Sequence, residues 1–124
     1  MAFLYVFLGA GLGGMARHGV NLLALRAFGG ALPVGTFAVN VLGSLAMGLI
    51  AGLFALKAGA PQGLRLFLTT GILGGFTTFS AFSLDVAVLA ERGEPVQALA
   101  YAVLSVVLSI GALFLGLFLA RHVL

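Results

Sequence analysis

Gly71-Ile72-Leu73-Gly74-Gly75-Phe76-Thr77-Thr78-Phe79-Ser80-Ala81-Phe82-Ser83 is the stretch on which the fold turns. It lies inside an apolar run, from about residue 62 to 90, that is long enough to cross a bilayer. A Gly-Gly pair followed by two β-branched threonines is poor helix chemistry at the centre of such a run. The stretch therefore predicts a helix broken in mid-membrane. Irregular backbone at that depth survives only where protein, water or an ion satisfies its polar groups. Broken helices whose freed carbonyls meet a small cation are one recurring solution. A packing crossover, with the hydroxyls satisfying the backbone, is the other.

The rest of the chain excludes a water-soluble domain. Of 124 residues, 62% are hydrophobic and 7% charged, where soluble domains carry about 25% charged residues. Mean hydropathy is +1.25. The six basic residues are scattered and form no nucleic-acid patch. There is no cysteine, and the two histidines show no metal-ligand spacing. With about 20 apolar residues per span, the chain predicts an all-α integral membrane protein. It would be a single four-helix domain over 1–124, with spans at about 2–25, 33–56, 62–90 and 95–120. Gly29-Gly30, Gly59-Ala60-Pro61 and Gly93-Glu94-Pro95 mark the short connections. The N-terminus lacks a basic region before its apolar run, so a secretory signal is not expected.

Lysine and arginine normally set orientation. Here Lys57, Arg65 and Arg121 fall on one side and Arg17, Arg26 and Arg92 on the other, three against three. The balance predicts insertion both ways and an antiparallel, dual-topology homodimer. Small residues recur at every fourth position: Gly9 and Gly13; Ser44, Gly48 and Gly52; Ala112, Gly116 and Ala120. That spacing predicts close helix packing and places any pathway between subunits.

Polar residues also align. Thr36, Asn40 and Ser44 share one face of the second helix, and Tyr101, Ser105 and Ser109 share one face of the fourth. Single hydroxyls in membrane helices usually bond across helices or back to their own backbone. Two aligned stripes with an asparagine instead offer a line of donors without fixed charge. Phe76, Phe79 and Phe82 recur every third residue, on the same side as the break; aromatic rings have positive edges that suit an anion. Arg17 lies deep in the first helix and is expected to snorkel or line a wet vestibule, with Asn21 on its face. Asp85, the one carboxylate within a span, is expected to face a vestibule or pair with a basic residue.

Gly74-Gly75-Phe76-Thr77-Thr78-Phe79-Ser80-Ala81-Phe82 resembles the third-helix signature of the CrcB family, the Fluc fluoride channels. Gly35-Thr36-Phe37-Ala38-Val39-Asn40-Val41-Leu42-Gly43-Ser44 and Gly11-Leu12-Gly13-Gly14-Met15-Ala16-Arg17 resemble its second- and first-helix motifs. The resemblance covers essentially the whole chain. It implies a multi-pass protein of the plasma or inner membrane, an antiparallel homodimer with two fluoride pores. It also implies a structural, non-transported sodium ion held by the backbone carbonyls of Gly75 and Thr78. The pore would use Phe79, Phe82, Asn40, Ser80, Ser83, Ser105 and Ser109, with Arg17 in the vestibule. Its partners would be a second copy, fluoride and the lipid bilayer, with no nucleic acid, and its role passive export of fluoride from the cytoplasm.

The family's usual threonine between Ser80 and Phe82 is Ala81 here, so one hydroxyl of the track is missing. Asp85 stands where the family more often has glutamate. No nucleophile, paired general base or nucleotide loop is evident, and catalysis is not expected. The alternative is a small dual-topology, proton-coupled drug antiporter, but that mechanism wants an acid in the first helix, and none is there. A non-transporting membrane subunit would leave the broken segment, the polar stripes and the charge balance as separate coincidences.

Overall fold

The structure, a computed structural model, describes residues 1–56 and 59–124. Lys57, counted above for orientation, lies outside the described residues. Among the described residues all regular structure is helical. α1 runs Ala2–Phe28 and α2 Val34–Leu56. The third span is composite: α3, Gln62–Leu66, widens into a π-helical segment, Phe67–Leu73, and tightens again as α4, Gly74–Phe76. Two extended residues follow, then α5, Phe79–Glu91. α6, Pro95–His122, completes the domain.

Local chemistry explains the ends. α5 closes in a Schellman arrangement: Gly93, at φ 80°, donates to the Ala90 carbonyl at 3.1 Å, and Glu94 N–H reaches Leu89 at 3.1 Å. Pro95 then starts α6 within its first turn, where a missing N–H is harmless. Gly29, at φ 76°, ends α1 with its N–H on the Leu25 carbonyl at 2.9 Å.

The helices associate as two parallel pairs. α1 lies along the first half of the third span, where a Cβ on Gly9 would sit 2.5 Å from the Phe67 carbonyl oxygen. α2 and α6 form the most extensive pairing. There a Cβ on Gly116 would lie 2.7 Å from the Leu49 nitrogen, and one on Gly52 would lie 2.6 Å from the Ala120 Cβ. Lipid supplies no hydrophobic drive for helices to associate, so such backbone approaches and their dispersion contacts hold the bundle together. The small-residue stripes lie at these seams.

Few large side chains are fully buried; Val39 and Leu89 are the largest, while Phe3, Phe7 and Phe114 face outward. By length and composition, the helices over 34–56, 62–91 and 95–122 are apolar enough to cross a membrane. α1, at 27 residues, matches them in length but carries Arg17, His18 and Asn21, which lower its hydropathy. It packs along the composite helix. The protein is an all-helical, multi-pass membrane protein.

Candidate functional site

The break falls midway along the 30-residue third span, but the glycine pair does not make it. Gly74 and Gly75 are helical. Thr77 and Thr78 are the extended residues, at φ −89°, ψ 157° and φ −153°, ψ 122°. This corrects the reading of the glycines. Gly75 is small because α1 lies against it: a Cβ there would be 2.5 Å from the Ala10 carbonyl oxygen. The β-branched threonines supply the extended backbone, which suits their stiff χ1.

A helix interrupted in a bilayer leaves unpaired backbone groups on both sides, and side chains from two other helices meet them. Asn40 of α2 binds Thr78 twice: Thr78 N–H donates to Oδ1 at 2.8 Å, and Asn40 Nδ2 donates to the Thr78 carbonyl at 3.0 Å. Arg17 of α1 donates its Nε to the Gly75 carbonyl at 3.1 Å. Thr78 Oγ1 caps α5 by accepting from Ala81 N–H at 3.1 Å. Thr77 Oγ1 donates back to Leu73 at 2.9 Å. Arg17 thus does not snorkel away; it grips the break.

Beside the break lies a cavity of about 270 Å³ between α2, α5 and α6. Asn40, Ser44, Thr78, Phe79, Phe82, Ser105 and Ser109 line it, and none of its lining residues is charged. The hydroxyl oxygens of Ser105 and Ser109 are buried there without a hydrogen-bond partner. Hydroxyls in a membrane helix can bond to a carbonyl one turn back; these two do not. Burying an unpaired hydroxyl costs roughly 1–3 kcal/mol, so these two donors are under-satisfied within the chain.

The phenylalanines divide. Phe82 is buried and sits between Phe79, at 5.5 Å between centroids, and Tyr101, at 5.4 Å. Phe79 is 76% exposed. Phe76, expected on the same side, does not join them: it is on the far side of the break and packs near Gly43. The extended residues interrupt the helical register, so a period of three across them places no common face. Ser80 and Ser83 are also apart from the cavity, on the exposed face of α5. Ser83 Oγ donates to Phe79 at 3.0 Å, and Ser80 Oγ approaches Thr78 Oγ1 at 3.4 Å. Asp85 accepts a hydrogen bond from Tyr101 at 3.1 Å and lines an open cleft that Arg92 also lines.

Comparison with known proteins fixes the lineage. The family profile described as CrcB-like protein, Camphor Resistance (CrcB), matches residues 4–117. The chain belongs to the CrcB family. A CrcB relative from Granulibacter bethesdensis, named Fluoride-specific ion channel FluC, is 60% identical over 121 residues, 98% of this chain and 95% of its own. One from Nitrobacter hamburgensis, named Fluoride-specific ion channel FluC 2, is 57% identical over 122 residues, 98% of each chain. A third, from Rhodopseudomonas palustris (strain BisB5), is 58% identical over 123 residues, 99% of each, and is named Fluoride-specific ion channel FluC.

The break of this CrcB chain suits one kind of metal. Among the described residues no group of three or more His, Cys, Asp or Glu could hold an ion. The Gly75 and Thr78 carbonyls each accept one side-chain N–H and keep a second lone pair. Neutral oxygens of this kind are ligands for hard cations. The Arg17 charge beside one of them opposes a cation, more so a divalent one. The donor set is therefore of the hard-oxygen kind, with no charged ligand among the described residues. Sequence reasoning missed the bonds from Asn40 and Arg17 to the break; a polar side chain at bilayer depth opposite a broken helix was the available signal.

Proposed function

We propose that this chain is a fluoride channel, giving fluoride a passive route out of the cytoplasm across the plasma membrane. Two unpaired hydroxyls, Ser105 and Ser109, share an uncharged cavity with the Asn40 amide and two phenyl rings. That observation carries the reading, and the names of the relatives at 57–60% identity support it.

Fluoride is small, strongly hydrated and a strong hydrogen-bond acceptor, so it sheds water only against close donors. The Thr78 N–H on Asn40 Oδ1 sets the amide's orientation. One Nδ2 hydrogen then goes to the Thr78 carbonyl, and the second is free for the anion. The Ser105 and Ser109 hydroxyls rotate toward the same guest, and the positive edges of Phe79 and Phe82 continue the path. A lysine or arginine within the cavity would hold the anion too long, because conduction needs sites that also release. No step forms or breaks a covalent bond.

The working unit in this proposal is an antiparallel homodimer. The exposed Phe79, Ser80 and Ser83 would then complete a track against a second copy, with the Arg17 charge held at the break. The Gly75 and Thr78 carbonyls would hold a sodium ion, which would supply positive charge at the break. Neutral HF crosses membranes from acid surroundings and dissociates inside; an inside-negative potential then drives the anion out, at about 2.3 kcal/mol per charge per 100 mV. The drug-antiporter alternative finds no support: α1 has no acid, and Asp85 is engaged by Tyr101.

The test is the double variant Ser105→Ala/Ser109→Ala in liposomes, read with a fluoride electrode. Flux should fall at least tenfold while thermal stability holds or rises, since the lost hydroxyls have no protein partner. Wild-type flux in this variant would overturn the assignment.

A further inference from the structure

Away from the break, near the end of α2 at Leu56 and the start of α3 at Gln62, the chain borders a second, open cavity of about 690 Å³. Its described lining residues, among them Ile50, Leu53, Phe54, Leu64 and Leu68, include no polar side chain. The volume lies within the range of sites that hold an organic ligand, about 300–1,000 Å³. Arg65 stands at its edge, exposed, with its guanidinium carbon 5.4 Å from the centre of the Phe54 ring. A guanidinium attracted over a ring keeps its in-plane N–H donors for an oxyanion.

Depth and charge narrow the occupant. α2 has 23 residues, or about 34 Å at 1.5 Å each, close to the roughly 30 Å hydrocarbon thickness. Its C-terminal end and the start of α3 therefore lie at the membrane interface, with Arg65 at headgroup level and the apolar cavity reaching inward. From Ala27 to Leu84 the sequence contains no Asp or Glu; Asp85, Glu91 and Glu94 all belong to the opposite end. Because Gly52 of α2 packs on Ala120 of α6, Arg121 and His122 finish on the same side as Arg65. One end of the molecule is basic without acidic balance, above a hydrocarbon-lined groove.

We propose that this groove is a binding site for an anionic phospholipid, with the phosphate on Arg65 and an acyl chain against Phe54, Leu64 and Leu68. A zwitterionic lipid would bring its cationic group toward the same basic end, and is disfavoured. The site shares no residue with the break or its cavity, so it stands independently of the fluoride reading.

The experiment is native mass spectrometry of the purified full chain, titrated with phosphatidylglycerol or phosphatidylcholine of identical acyl chains, with inorganic phosphate as a separate arm. The expected result is one phosphatidylglycerol per chain, bound at least fivefold more tightly than phosphatidylcholine. Arg65→Gln should bring the two lipids within twofold of each other, and Arg65→Lys should keep part of the preference. Leu64→Trp, which fills the groove, should weaken both lipids. Thermal unfolding in detergent checks that each variant is folded. Equal binding of the two lipids to the wild type, or a preference that survives Arg65→Gln, overturns the proposal. So does phosphate binding as tightly as the lipid, which would mean the chain contributes nothing. If Leu64→Trp breaks the oligomer without changing lipid binding, a second copy fills the groove and the proposal fails.

Discussion

The two halves of α2 carry one continuous stripe at four-residue spacing, Thr36, Asn40, Ser44, Gly48 and Gly52, and use it in opposite ways. In the second half, Gly48 and Gly52 press against the backbone and Cβ atoms of α6, at Leu113 and Ala120, and leave no gap. In the first half, Asn40 and Ser44 face a cavity that also receives Ser105 and Ser109 of the same α6. Spacing alone makes a seam; what stands at each position decides whether the seam is dry or admits a guest. The physical criterion is satisfaction. At the dry end atoms meet atoms, whereas at the polar end the Ser105 and Ser109 hydroxyls are buried without a hydrogen bond of good geometry. Changes at the dry end should therefore damage folding, and changes at the polar end should damage transport.

The largest effect is expected from Gly116→Leu. A Cβ there meets backbone on α2, 2.7 Å from the Leu49 nitrogen, and backbone cannot move aside as a side chain can. A loss of about 3 kcal/mol should show as failure to purify a folded protein or as a steep fall in thermal stability. A well-folded Gly116→Leu protein would remove the distinction between the two halves.

Asn40→Asp comes next and acts on both properties. It presents a carboxylate to an anion and removes the N–H donated to the Thr78 carbonyl. Fluoride flux in liposomes should fall by at least a hundredfold, with a stability loss of roughly 1–3 kcal/mol. Undiminished flux would leave Asn40 a clamp on the break and nothing more.

The two phenylalanines sharpen the comparison within the cavity. Phe79→Ile and Phe82→Ile should each lower flux at least tenfold, because an aliphatic group has no positive edge. Only Phe82→Ile should also lower thermal stability, since Phe82 is buried and Phe79 exposed. Equal stability losses would mean that both rings serve packing. The smallest effect belongs to Ala81→Thr, which adds a hydroxyl beside Ser80; flux should rise about twofold at unchanged stability. A fall would mean that α5 is crowded at this position.

Much of this architecture is legible in the amino-acid sequence. Charge scarcity and apolar run lengths predict a helical membrane protein, and the stretch around Thr77 predicts the interruption of its third helix. The position of the break within that stretch is not legible, because glycine is both a poor helix former and the residue needed where helices touch. Gly75 serves the second purpose. The π-helical segment at 67–73 leaves no mark in composition, since a wider turn depends on neighbouring helices. For the candidate site, Asn40, Phe79, Phe82, Ser105 and Ser109 are readable from their register and do converge on one cavity. Ser80 and Ser83 do not: each stands one position after a cavity-lining phenylalanine on α5 and so turns to that helix's exposed side. The depth of Arg17 signals that it needs a partner, but which carbonyl it meets is not legible, since the bond joins positions 58 residues apart.

The most direct test is anion efflux from liposomes holding the purified protein, with fluoride and chloride followed in parallel and potassium ionophore clamping the voltage. The account predicts rapid fluoride release that follows the imposed voltage, needs no proton gradient, and is not matched by chloride. No fluoride release from folded protein with sodium on both sides, or equal release of the two anions, would contradict it.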